Sequence, residues 1–135
     1  MGYPIAEIEG IGTTFAEKLS AAGVRTTDDL LEKAGSRSGR ASLAEATGIE
    51  GKRILSWVNL ADLMRVKGIG KQFSELLHAA GIDSIKELRT RNPANLATAV
   101  KEANERRQVS RTVPAESQIA EMIENAKAME PAVSH

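Results

Sequence analysis

Residues 64–82 read MRVKGIGKQFSELLHAAGI, and residues 7–24 read EIEGIGTTFAEKLSAAGV. Sliding the chain by 58 positions lays IAEIEGIGTTFAEKLSAAGVRTTDDL over LMRVKGIGKQFSELLHAAGIDSIKEL without a gap. Gly10, Ile11 and Gly12 meet Gly68, Ile69 and Gly70; Phe15 meets Phe73, and Leu19 meets Leu77. Such self-similarity at a fixed offset marks the duplication of one structural unit. The copies differ most in charge: Glu7 and Glu9 become Arg65 and Lys67, and Thr13 becomes Lys71.

Outward from the glycines, each copy reads as helices with explicit punctuation. Phe15, Leu19 and Ala22, like Phe73, Leu77 and Ala80, recur at i, i+4, i+7, which predicts helices over 13–22 and 71–80. Gly23 and Gly81 follow as left-handed helix ends. Thr26–Thr27 and Ser84 stand where a following helix needs an N-cap, with Asp28, Asp29 and Glu87 in or near its first turn. Asn92-Pro93 starts a helix carrying Leu96, Val100 and Ala103, and Val113-Pro114 starts the last, with Ile119, Met122, Ile123 and Ala126 on one face. GSRSGR at 35–40 reads as a polar loop. Residues 50–66 contain no breaker after Gly51 and read as one helix of about 25 Å. Trp57 on this rod reads as packing between units, with a stacking platform for a base as the alternative. No segment alternates with period two. An all-α fold follows, with two tandem units, 1–58 and 59–135, of four to five helices each, sharing the long central helix.

Composition narrows the function classes. With 135 residues, 41% apolar and 27% charged, the chain has the make-up of a folded globular protein. It has no cysteine, so disulfides, thiolate metal sites and a cysteine nucleophile are excluded. The longest apolar runs fall far short of a membrane span, and a cytoplasmic protein is expected. Net charge is zero; up to Val58 there are 7 basic and 8 acidic residues, and afterwards 11 and 10. No long-range field would steer the chain to nucleic acid, so any such binding must be local. His78 falls opposite Ser20 and reads as a surface histidine. Nothing has metal-ligand spacing, a nucleotide-binding loop or a nucleophile turn, so no enzyme activity, cofactor, metal or small-molecule substrate is expected.

The Gly-Ile-Gly turn itself has two uses. A reversal between helices within about three residues needs backbone angles that penalise a Cβ, which glycine supplies, while Ile11 and Ile69 pin the turn to the core. The turn also delivers the chain into a helix N-terminus, where amide N–H groups lack intrahelical partners and the dipole favours an anion. Lys71 would reinforce a phosphate at the second turn. Arg65 and Lys67 bring the tally to three positive charges with no acid between residues 65 and 74. At the first turn Glu7 and Glu9 oppose an anion, leaving the Thr13 and Thr14 hydroxyls to help. A second basic cluster, KEANERRQVSR at 101–111, reads as a solvated helix end or as an auxiliary phosphate contact through Arg106, Arg107 or Arg111.

The pattern G-I-G-x-x-F-[AS] followed by A-A-G-[IV] and a capped helix resembles the helix-hairpin-helix superfamily of DNA-backbone-binding modules. SLAEATGIEGKRIL at 42–55 is similar to the second hairpin in the small helical lobe ahead of many recombinase ATPase domains. The order WVNLADLMRVKGIG, ELRTRNPANL, VPAESQIAEMIENAKAM resembles a bacterial domain-of-unknown-function family built from tandem helix-hairpin-helix units. The superfamily resemblance implies contact with phosphates through hairpin amides, sometimes with a monovalent cation on hairpin carbonyls. Carried onto this chain, the nucleic-acid-binding residues are Gly68, Ile69, Gly70, Lys71 and Gln72, with Arg65 and Lys67 beside them. Gly10, Ile11, Gly12, Thr13 and Thr14 form a weaker second site, because the basic side chain usual near the turn is missing. Two readings follow: weak, sequence-independent binding of the DNA backbone, or a protein-interaction or scaffolding module, self-association included, that keeps the fold without DNA.

Overall fold

Local signals place most of the helices in the computed structural model, which describes residues 2–134. A 3-10 turn at Ile5–Glu7 precedes α1 (Gly12–Ala21), α2 (Thr27–Ala34), α3 (Arg37–Thr47), α4 (Gly51–Leu63), α5 (Lys71–Ala79), α6 (Ile85–Leu88), α7 (Pro93–Arg107) and α8 (Glu116–Lys127). No strand occurs among the described residues; Pro4 and Thr26 form one isolated bridge. The protein is all-α. Among the described residues no helix is long and apolar enough to cross a membrane.

The chain divides into two compact units, Met1–Asp62 with Pro131–His135, and Leu63–Glu130. Within each, the duplicated stretch repeats its hydrogen bonds. Ile8 N donates to Ile5 O at 3.2 Å and Val66 N to Leu63 O at 3.0 Å. Ile11 N donates to Ile8 O and Ile69 N to Val66 O. At the far end Val24 N reaches Leu19 O and Ile82 N reaches Leu77 O, both at 2.8 Å. Gly23 (φ 89°) and Gly81 (φ 93°) sit between them as left-handed ends. The matching apolar positions Ile8/Val66, Ile11/Ile69, Leu19/Leu77, Val24/Ile82 and Leu30/Leu88 are all buried. Burial of this repeated set, worth about 1.5–3 kcal/mol for each large side chain, holds each turn against its unit's core.

Three expected boundaries move. GSRSGR is not a loop: Ser36 accepts from Gly39 N at 3.0 Å as the N-cap of α3, and Arg40 is buried. Its guanidinium donates to the carbonyls of Ala34, Gly35 and Ser134 at 3.2, 2.9 and 2.6 Å. The polar composition that suggested solvent instead caps the end of α2. The long helix stops at Leu63, where the chain turns: Val66 N donates to Leu63 O and Ile69 N to Val66 O, and Met64, Val66 and Ile69 are buried. The last helix begins at Glu116, with Gln118 Oε1 accepting from Ala115 N at 2.9 Å. Asn92 caps α7 through Asn95 N, with Pro93 in the first turn, as the sequence reads. Trp57 is 4% exposed and packs on Phe15, ring centroids 5.2 Å apart, inside the first unit. It offers no face for a base.

The α2 cap carries a pH prediction. Asp29 Oδ2 accepts from Arg25 N and Thr26 N at 3.0 and 3.1 Å, and Thr26 Oγ1 accepts from Asp29 N. The Arg25 amide is the largest influence and, with the Thr26 amide and hydroxyl, holds the carboxyl below its ordinary value of 3.8 against desolvation. A folded pKa below the unfolded one means the unfolded state binds more protons in between. The cap therefore stabilises fully above pH 3.8 and is lost as pH falls through the depressed value. Thermal melts of wild type and Asp29→Asn should converge in acid and separate near neutrality; parallel profiles would remove this contribution.

Candidate nucleic-acid interface

The second glycine turn starts from the apolar anchors Val66 and Ile69, each 1% exposed, which leave Lys67 and Gly68 between them at the surface. Gly68 takes φ 95°, a left-handed value that a side chain resists. A Cβ there would also lie 3.1 Å from the Met122 methyl of α8. Gly70 is the N-cap of α5 with φ −113° and ψ −159°, extended backbone that any residue adopts, and it makes no side-chain cap. The first intrahelical bond of α5 comes only at Ser74, whose N–H reaches Gly70 O at 2.9 Å. Among the described residues no hydrogen bond is made to the amides of Lys71, Gln72 or Phe73. Lys71 and Gln72 are exposed and Phe73 is buried.

These amides stand on an open groove of about 720 Å³. One side is the turn, Gly68 to Phe73; the other is the segment from Ser110 to Pro114, with Met122 and Gln118 from α8. That far wall is fixed by Asn104, whose side chain donates to Ser110 O at 2.9 Å and accepts from Ser110 N at 3.0 Å. Gln108, the one described non-glycine residue with positive φ (52°), ends α7 and turns the chain toward this wall. A neighbouring depression shares Gln72, Ser110 and Thr112 and adds Arg111; a smaller one shares Gly68 and Met122 and adds Lys67 and Glu121. Lys71, Lys67 and Arg111 thus rim one surface. The sequence offered Arg106, Arg107 and Arg111 as equals, and only Arg111 lines these depressions. Arg106 and Arg107 occupy the last turn of α7, where cations suit the helix dipole.

Arg65 is exposed, but its guanidinium donates to Glu130 O at 2.8 Å, which ties it to the backbone of its own unit. Arg89, unremarked in the sequence, closes the end of α8 by donating to Ala126 O at 3.1 Å and to Met129 O. His78 is 38% exposed and pairs with Asp83 at 2.8 Å.

The first glycine turn is not a copy of the second. Gly10 and Gly12 both have positive φ, 90° and 63°, so both need glycine, whereas Gly70 does not. Ile11 is buried while Gly12, Thr13 and Thr14 are exposed. Among the described residues the Thr13 and Thr14 amides have no hydrogen-bond partner. Glu7 and Glu9 flank this turn, half-buried.

Residues 9–129 match the family model described as Domain of unknown function (DUF4332). The chain belongs to this family. No curated protein and no solved structure gives a match. In this DUF4332 chain the matched residues include both glycine turns and the Asn104-held wall, so the whole candidate interface lies inside the family's domain.

Proposed function

We propose that this chain is a tandem helix-hairpin-helix protein that grips the sugar-phosphate backbone of nucleic acid weakly and without sequence preference. The observation carrying this reading is the second turn: three amides without protein partners at the mouth of an open groove, with Lys71 on it and Lys67 and Arg111 beside it. A phosphate oxygen meets the donor geometry and charge such a site supplies. Contacts of this kind position a strand and carry no base information. A cytoplasmic setting belongs to the same reading.

Neutralising two to four phosphates gives a log–log salt slope of about −2 to −4 and a Kd of roughly 10⁻⁴ to 10⁻⁵ M at physiological salt. Fluorescence anisotropy on a labelled duplex at rising salt measures both. Lys71→Glu should weaken binding about tenfold and flatten the slope by about one or more. Wild-type binding in that variant would remove the second turn from the reading.

The zero net charge and the acidic flank of the first turn favour a second reading, a protein-interaction or scaffolding module. It expects no salt-dependent duplex binding, together with self-association or a protein partner in light scattering.

A further inference from the structure

The groove beside the second turn offers more than donors for a phosphate. Its floor is apolar: Phe73 and Leu76 come from α5, Met122 from α8, and the half-buried Val113 and Pro114 from the far wall. Phe73 and Met122 are 8% and 9% exposed, while every other apolar core residue of this unit is at 4% or less. The core of the unit therefore comes to the surface along this groove. Phe15, at the matching place in the first unit, carries Trp57 and Arg53 against its ring. Among the described residues no ring or guanidinium meets Phe73. Lys71 is the one charged residue among those described that line the groove; the depression beside it adds Arg111 and no carboxylate. Glu121 lies with Lys67 in the smaller depression.

A phosphate alone would leave that apolar floor in water. A duplex keeps its bases stacked and paired inside, so it brings phosphates to the amides and nothing to the floor. A single strand can turn a base out and lay it on an apolar wall while its backbone follows the cations. We infer that the groove selects single-stranded nucleic acid. One phosphate sits at the start of α5, and a neighbouring base lies against Phe73, Val113 and Met122. Gln72 and Thr112 are exposed at the rim, where they meet the polar edge of the base. The volume of about 720 Å³ falls within the roughly 300–1,000 Å³ of clefts that take small ligands, ample for one base. This inference rests on the nucleic-acid reading above and narrows it to one substrate class.

Fluorescence anisotropy tests it with three labelled probes at rising salt: a short single strand of thymidines, the same strand with abasic sites in place of the bases, and a duplex of equal length. The thymidine strand should bind at least about fivefold tighter than either of the others, the least that one stacked base contributes. That advantage should persist as salt rises, because only the phosphate contacts release counterions. Lys71→Glu should weaken the thymidine and abasic strands by the same factor. A thiothymidine placed in the strand should photocrosslink within residues 68–76 or 110–122, the segments that line the groove. If the abasic strand or the duplex binds as tightly as the thymidine strand, or if the crosslinks fall elsewhere, the inference is overturned while the phosphate grip stands. If none of the three probes binds, the inference falls together with the nucleic-acid reading.

Discussion

Replacing Gly39 with alanine is expected to destabilise the first unit by at least about 3 kcal/mol, the upper part of the range for overpacking a rigid site. An alanine Cβ at this position would lie 2.1 Å from the backbone oxygen of Lys33 and 3.0 Å from Ser36 Oγ. A backbone carbonyl at the end of α2 cannot rotate away as a side chain would. α2 and α3 would have to separate, drawing the buried Leu30, Ala34 and Leu43 apart. Loss of that size is a large share of the 5–15 kcal/mol that holds an ordinary domain together. Urea unfolding reads it directly: the midpoint should fall sharply in Gly39→Ala. In Gly51→Ala, where a Cβ has open space, the midpoint should stay near wild type. Equal midpoints for the two variants would show that the α2–α3 approach is not tight.

Replacing Arg40 with methionine is expected to be nearly as damaging, at about 3 kcal/mol, from polar groups left behind instead of from volume. Methionine keeps much of the stem but leaves the carbonyls of Ala34, Gly35 and Ser134 without the guanidinium that now binds all three. Burial first, and Arg37 second, lower the Arg40 pKa, so the charge is held at a disadvantage that its hydrogen bonds must offset. Lysine should not rescue the site, because one ammonium lacks the planar fork that spans carbonyls on two segments. The same change should loosen the C-terminal segment, where Ser134 N donates to Gly35 O and Ala132 N to Asp62 Oδ2, each at 2.9 Å. Hydrogen exchange at Ala132 and Ser134 should quicken in Arg40→Met. Unchanged protection with an unchanged unfolding midpoint would mean the guanidinium bonds contribute little.

Both predictions fall in a stretch whose composition misleads. Gly, Ser and Arg at 35–40 have the chemistry of a solvated loop, and a local reading cannot separate that from a tight helix junction. The difference lies in Lys33 O and Ser134 O, which only the folded chain brings to Gly39 and Arg40. The duplicated stretch was legible for the opposite reason. Its left-handed glycines, N-caps and apolar spacing are local devices, and having two copies of each made them readable. The candidate site was half legible. Lys67, Lys71 and the turn glycines come from one continuous segment. Arg65, equally basic and equally near in sequence, reaches Glu130 O. The Asn104-held wall and Arg111 at its edge are brought in by α7 and the segment that follows it.

The sequence by itself determined the all-helical class, the repeat, and where most helices start, since these follow from backbone angles and hydrogen bonds within a few residues. Only the tertiary structure decided which cations face a glycine turn, which guanidiniums are spent on helix ends, and which glycine needs its missing side chain. Those depend on distances between segments far apart in the chain, and no local pattern encodes them.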